Sequence, residues 1–164
     1  MTLLAAEADT ARRAQADRHT STHSPVQELV WNKGEVMTYY FSKTVRLGFD
    51  EAVSRITQAL KEEGFGILTE IDVKSTLKKK LDVDFRKYRI LGACNPPYAY
   101  KALQAEDKVG TMLPCNVIVQ ETDDGEVEIA AIDPIASMKA IDNPGLHEID
   151  ETIEHKLKVI VENV

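Results

Sequence analysis

The sequence has little cysteine and no long apolar run, and both shortages exclude classes of protein. Its 164 residues contain two cysteines, too few for the disulfide framework of a small secreted domain. No run of about 18 apolar residues occurs, so no transmembrane helix is expected. The first six residues lack the basic segment and long apolar core of a secretory signal. These shortages predict a cytoplasmic protein with reduced thiols and no membrane association.

Acidic side chains outnumber basic ones, and the motifs of well-known reactions are absent. The chain has 27 acidic and 20 basic side chains and a net charge of −7. Such a chain repels phosphate backbones, so no nucleic-acid partner is expected. A Gly-rich phosphate loop, a Ser-His-Asp set and a zinc-hydrolase signature are absent. The sequence therefore leaves open whether the chain is an enzyme, and it identifies no cofactor.

The chain contains one regularly patterned domain after an N-terminal segment of different character. Residues 1–36 are rich in alanine, arginine and polar residues, which predicts an arm that is flexible or loosely docked. Residues 37–164 are long enough for a single domain with its own core, and 43% of the whole chain is hydrophobic. We therefore expect an N-terminal arm followed by one domain.

Apolar spacing in the domain predicts strands and helices in the order β-α-β-(α)-β-α-β-β-α. Aromatic and β-branched residues predict a first strand at 37–45. Asp123-Asp124-Gly125 predicts a hairpin turn between the last two strands, and Asn143-Pro144 predicts the start of a terminal helix. This order indicates an α+β fold: a single antiparallel-rich sheet of about five strands, with helices mainly on one face.

Two carboxylates lie on one face of the second predicted strand. Strand alternation places Ile67, Thr69 and Ile71 on one face and Glu70 and Asp72 on the other. Paired carboxylates can carry acid–base catalysis. More often such a pair lines a solvated sheet edge, so catalysis is the weaker interpretation.

The two cysteines belong to a doubled motif that marks the candidate site. The run from Ala93 through Cys94-Asn95 to Pro96 recurs in reversed form as Leu113-Pro114-Cys115-Asn116. Cys94 closes one predicted strand and Cys115 opens the next. The two Cys-Asn steps therefore meet at one end of the sheet if these strands are antiparallel neighbours, and lie at opposite ends if they are parallel.

Convergence of the two steps would allow three kinds of site. The first is a ligand pocket formed by Cys94, Asn95, Pro96, Cys115, Asn116 and Asp133. In the second, the two thiolates hold a soft metal, with His147 or Met138 as a further ligand. In the third, they cycle between dithiol and disulfide, and a helix starting at Pro96 lowers the pKa of Cys94. Against all three stands a structural interpretation, in which cysteine acts as a small apolar core residue.

Six segments of the domain resemble the bacterial and archaeal family called domain of unknown function 302. They are Gly64-Phe65-Gly66, residues 68–72, residues 88–97 (YRILGACNPP), Ala102-Leu103, residues 113–117 and Asp133-Pro134. The resemblance covers residues 37–164 and leaves the N-terminal arm outside. It implies a compact α+β fold of the TATA-binding-protein-like class with antiparallel strands. It implies no activity, because this family has no settled function.

The sequence favours a binding module over the other functions that its motifs allow. The leading hypothesis is a small-ligand pocket near the two Cys-Asn steps. The alternatives are a thiol-redox enzyme or soft-metal-binding protein that uses Cys94 and Cys115, and a structural protein-interaction domain. The aromatic first strand, with Tyr39, Tyr40 and Phe41, is expected to form an edge that pairs with a second copy in a homodimer.

Overall fold

The structure, a computed structural model, describes residues 29–30 and 36–164, with side chains from residue 38 onward. The chain divides into two units, Met1–Val36 and Met37–Val164. The short strands β1 (Leu29–Val30) and β2 (Val36–Met37) pair in a two-stranded sheet. The remainder of the predicted arm lies outside the described residues.

A single five-stranded sheet forms the framework of the second unit. Its strands are β3 (Tyr40–Val45), β4 (Gly66–Asp72), β5 (Tyr88–Cys94), β6 (Cys115–Glu121) and β7 (Val127–Ile132). They lie in the order β3-β7-β6-β5-β4, and every neighbouring pair is antiparallel. The predicted α+β fold with one antiparallel sheet is confirmed.

Five helices connect or follow these strands. They are α1 (Phe49–Glu62), α2 (Val73–Leu81), α3 (Pro96–Ala105), α4 (Pro134–Met138) and α5 (Pro144–Asn163), with a 3₁₀ turn at Val109–Met112. The sequence patterns did not predict α4 or the 3₁₀ turn, because five and four residues are too few to show a helical period. No helix within the described residues is long and apolar enough to cross a membrane.

Helices α1 and α5 pack on one face of the sheet and build the main core with it. The core includes Ile56 and Leu60 of α1, Leu157 of α5, and the central strand residues Leu91, Val117, Val119 and Ile129. All seven are at most 1% exposed. Full burial of one such side chain contributes about 1.5–3 kcal/mol, so this face holds most of the apolar stabilisation.

A bulge in β4 corrects one expectation about which residues share a face. The register pairs Ile67 with Ala93 and Thr69 with Gly92, and it shifts between them. Because a bulge inserts one residue, it reverses the alternation of side chains along the strand. Ile67 therefore packs against the core, and the prediction that it shares a face with Thr69 and Ile71 is wrong.

The carboxylates of Glu70 and Asp72 surround one guanidinium. The Arg89 guanidinium forms an ion pair with Glu70, and its other terminal nitrogen lies 3.6 Å from a carboxylate oxygen of Asp72. Asp72 also accepts a 2.9 Å hydrogen bond from the Ser75 amide at the start of α2. This backbone hydrogen bond lowers the pKa of Asp72. These contacts support structural roles for the two carboxylates.

Candidate functional site

The two Cys-Asn steps meet at one end of the sheet. Strands β5 and β6 are antiparallel neighbours, and their register places Cys115 opposite Ala93 and Asn116 opposite Gly92. Cys94 ends β5, and Cys115 begins β6. Of the two arrangements that the sequence allowed, the structure has the converging one.

The members of the doubled motif differ in burial at this end of the sheet. Cys115 and its partner Ala93 lie in the core beneath the helices. Cys94, the last residue of β5, is half-buried, and it lies near enough to Cys115 for its charge to raise the pKa of that thiol. Asn116 follows Cys115 and is exposed. Both cysteines are free thiols in this structure.

A small cavity lies where this end of the sheet meets α3, α4 and α5. Its volume is about 30 Å³, and its wall includes Cys94, Asn95, Tyr98, Cys115, Met138 and Asp150. Most of the remaining wall is apolar, with Phe65, Leu113 and Ile153 among its members. A cavity needs about 10–15 Å³ to admit one water molecule, so this one holds little more than a water or a methyl-sized group.

Asp150 is the one carboxylate in the wall of this cavity. It lies on α5 and is 8% exposed. Burial raises its pKa from 3.8 to about 6, against a lowering by the nearby His147 imidazole. Within the described part of the chain, no hydrogen bond reaches this carboxylate, and His147 alone favours its ionised form. Asp150 is therefore a mostly buried acid without a strong partner.

Both cysteines carry protonated thiols at neutral pH. Burial raises the pKa of Cys94 above its ordinary value of 9.0. Burial raises the pKa of Cys115 to about 11, with smaller contributions from the charges of Cys94 and Asp150. The prediction that the start of α3 lowers the pKa of Cys94 is wrong, because desolvation dominates there. Thiols are poorer nucleophiles and metal ligands than thiolates, so their reactivity is suppressed.

Asn95 joins the cavity wall to the end of α1. Its side-chain amide donates a 3.3 Å hydrogen bond to the Glu63 carbonyl. A Cβ atom on Gly64, which has a φ of +85°, would lie 3.2 Å from the same amide nitrogen. The Glu63 carboxylate in turn receives a 2.7 Å hydrogen bond from Lys156 of α5. These hydrogen bonds connect the Asn95 side of the cavity to the end of α1 and, through Glu63, to α5.

The other three predicted site residues lie outside the cavity wall. Pro96 occupies the first turn of α3 and is exposed, and Asn116 is exposed on its strand. Asp133 accepts a 3.1 Å hydrogen bond from the Ala136 amide and caps α4. The structure thus brings together Cys94, Asn95 and Cys115, and it does not add Pro96, Asn116 or Asp133 to them.

Of the two side chains predicted as further metal ligands, only Met138 lines the cavity. Met138 and His147 both line an adjoining groove. Over the described ranges, 29–30 and 36–164, no three His, Cys, Asp or Glu side chains are grouped so as to hold a metal ion.

Asp150 is the site residue that sequence reasoning missed, although a signal for it exists. Leu146, Ile153 and Leu157 form the buried stripe of α5. Asp150 falls four residues after Leu146 and three before Ile153, at the position where helical spacing calls for an apolar residue. A charged residue inside an apolar stripe is the pattern that would have identified it.

The fold and the cavity define a small α+β domain built on one antiparallel sheet, and comparison with known proteins supplies its family. The family model described as domain of unknown function DUF302 matches residues 41–164. The chain belongs to the DUF302 family, as its motifs predicted.

A solved structure shares this fold. It is the crystal structure of an uncharacterized conserved DUF302 protein from Bacillus stearothermophilus, 31% identical to this chain. The match covers 77% of this chain and 98% of that chain, with a TM-score of 0.72. No curated protein matches the chain. The comparisons therefore establish the family and the fold, and function has to be argued from the site.

Proposed function

We propose that this domain binds a small molecule at the cavity where β5 and β6 meet α5, with the Asp150 carboxylate as its polar anchor. The observation that carries the proposal is the state of that carboxylate. It is 8% exposed, lies in a largely apolar wall and receives no hydrogen bond from the described residues.

The free energy of this arrangement supports a functional role. A pKa raised from 3.8 to about 6 means that the ionised carboxylate destabilises the folded protein at neutral pH, by about 1–2 kcal/mol once the contact of this group with the open groove is allowed for. An asparagine or leucine at this position would avoid that destabilisation. Unfavourable local choices of this kind concentrate at functional sites, where a ligand offsets them.

The thiols have a supporting part in this proposal. Protonated thiols add polarisable, weakly polar surface to an apolar pocket and do not act as nucleophiles. The alternative of a thiol-redox enzyme or a soft-metal carrier has less support, because burial raises the pKa values of both thiols and the described residues contain no group of three possible metal ligands.

A screen of small fragments against the isotopically labelled protein tests the proposal. In amide NMR spectra, at least one fragment is expected to shift the signals of Cys115, Asp150 and Ile153 together. The Asp150→Asn variant should lose this response. Glu148→Gln is the matched control, because Glu148 is an exposed carboxylate on the same helix.

Two outcomes would count against a binding function at this cavity. One is a diverse library in which no fragment shifts the three signals. The other is a response that is the same in wild type and in Asp150→Asn, since the carboxylate would then have no part in binding.

A further inference from the structure

A groove adjoins the cavity between α4 and the first turns of α5. Its volume is about 340 Å³, and it is lined by Ile135, Met138, Lys139, Ile141, His147, Asp150 and Glu151. Met138 and Asp150 line both the cavity and the groove. The two spaces are therefore neighbours that share a wall.

The two spaces differ in size, so each can hold a different part of a ligand. Small-molecule pockets typically enclose about 300–1,000 Å³. The groove reaches this range, whereas the cavity of about 30 Å³ admits only a group the size of a methyl or an ammonium. The body of a ligand would lie in the groove, and one small group would pass Asp150 towards the thiols.

The residues that line both spaces determine which kind of small group binds there. The Asp150 carboxylate lacks a hydrogen-bond donor from the described residues, and Glu151 adds a second carboxylate to the groove. Lys139 and His147 line the groove as well, so basic and acidic side chains both face it, and Asp150 is the charged residue that also reaches the cavity. A protonated nitrogen supplies both a donor and a compensating charge, whereas a hydroxyl supplies only a donor.

The groove also has an apolar side for the rest of the ligand. Ile135 is 44% exposed there, and Ile141 is half-buried. Met138 forms the partition, and its unbranched thioether adjusts to irregular shapes. An apolar ligand body would cover these three side chains and remove them from water.

We infer that the cavity and the groove form one site for a small molecule with an apolar body and a protonated amine. The amine pairs with Asp150, and the apolar body lies against Ile135, Met138 and Ile141. This inference rests on the proposed binding function and names its ligand class.

A matched set of three compounds tests the ligand class. Cyclohexylmethylamine, cyclohexylmethanol and cyclohexanecarboxylate share an apolar ring and differ in the polar group. Titration calorimetry with the full chain at neutral pH should show the amine binding about 10- to 100-fold more tightly than the alcohol, as expected for a charge-assisted hydrogen bond. The carboxylate should not bind, because it meets Asp150 as a like charge.

Two variants localise the binding to this site. Asp150→Asn should remove the preference for the amine, and Glu148→Gln should retain it. Ile135→Lys places a positive charge on an exposed position of the groove and should weaken amine binding at least about tenfold. Because Ile135 is partly exposed, this variant is expected to fold.

The possible results separate the inference from the proposed function. Alcohol binding as tight as amine binding, with the same dependence on Asp150, would overturn the amine class and leave the binding function standing. Amine binding that neither variant changes would place the amine elsewhere and overturn the inference. If none of the three compounds binds, the inference also fails, and the fragment screen then decides the binding function separately.

Discussion

Asp150 occupies a position that the apolar stripe of α5 assigns to a hydrophobic side chain. Leu146, Ile153 and Leu157 on either side of it are buried in the core regions that α5 joins. The helix therefore carries an acid into the protein, and among the described residues only the His147 imidazole favours its ionised form. Asp150 combines burial, charge and access to a cavity, which supports the proposed site.

Replacing Asp150 by asparagine should stabilise the protein at neutral pH. The folded-state pKa of about 6 lies above the ordinary 3.8, so the native protein holds a proton that the unfolded chain has lost between these values. The stability from Asp150 is present below pH 3.8 and is lost as the pH rises to about 6. Asp150→Asn should raise the free energy of unfolding at neutral pH by about 1–2 kcal/mol and flatten its dependence across this window.

Urea denaturation at a series of pH values measures this effect, with Glu148→Gln as the control. A wild-type stability that is flat across the window, or an Asp150→Asn variant less stable than wild type at neutral pH, would show that the native carboxylate is well solvated or paired.

The two thiols should both react slowly with iodoacetamide, and Cys115 should react more slowly than Cys94. Cys115 is 7% exposed with a pKa of about 11, whereas Cys94 is half-buried. Mass spectrometry of Cys94→Ser and Cys115→Ser over time follows each thiol alone, with glutathione as the reference. Alkylation of either thiol faster than glutathione at neutral pH would favour the redox-enzyme hypothesis instead.

The doubled Cys-Asn motif lies at the end of the sheet where the cavity forms, but only some of its residues line that cavity. Cys94, Asn95 and Cys115 do line one cavity. Asn116 does not, because the next residue along a strand points to the opposite face. The motif could not show this, since the faces are fixed by a register between strands that are distant in sequence.

At the scale of elements, Gly92 has no side chain, and this allows β4 and the residue before β6 to lie close to β5. A Cβ atom on Gly92 would lie 2.3 Å from the Thr69 hydroxyl oxygen and 2.7 Å from Cγ of Pro114. Both distances are below any normal contact. Glycine is therefore required at this crossing, beside the bulge and one residue before Ala93 of the cavity wall.

Gly92→Ala should lower the free energy of unfolding by about 1–3 kcal/mol, the usual effect of overpacking. Gly66→Ala on the neighbouring strand is the matched control, because its Cβ would meet no atom within 4 Å. Chemical denaturation of both variants gives the comparison. Equal stabilities for the two variants would mean that β4 and Pro114 move aside without loss.

The long elements could be predicted from the sequence, and the irregular ones could not. Strand β5 ends at Cys94 and helix α5 begins at Pro144, as predicted, since a proline marks the boundary in each case. The bulge in β4 leaves no local signal, because it arises from pairing with β5. Helix α4 is five residues long and is marked only by its Asp133 cap and the following Pro134.

At the scale of the whole molecule, β3 forms one edge of the sheet and is the candidate surface for a second copy. In the five-stranded sheet it pairs with β7 on one side only. Tyr39, just before this strand, is 60% exposed and stacks edge-on against Tyr40. Among the described strands, none pairs with the outer side of β3, and an aromatic edge strand favours pairing between copies.

We predict that the full chain forms a dimer and that Tyr39→Lys weakens it, because a lysine next to an edge strand opposes pairing. Light scattering coupled to size exclusion should give twice the chain mass of 18.3 kDa for wild type. Tyr100→Lys is the control, since Tyr100 is similarly exposed and lies on α3. A mass of one chain at every concentration, or equal effects of both variants, would contradict edge pairing.

The fold does not itself supply a function, because the same α+β framework can carry unrelated sites. The family and the sheet followed from sequence motifs, whereas the sequence left open whether the two Cys-Asn steps of β5 and β6 converge. The anchor of the proposed site did not follow from any motif, since burial of Asp150 depends on how α4 and α5 close over the end of the sheet.

The most direct test of this account is the pKa of Asp150 itself, measured by carbon-detected NMR titration of its carboxyl group in the full chain. The pKa of Asp150 should lie near 6 without ligand, because burial disfavours the ionised carboxylate. The account also predicts a lower pKa when an amine is bound. A ligand-free pKa close to the ordinary 3.8 would contradict the account, since the cavity would then have no unsatisfied acid to anchor a ligand.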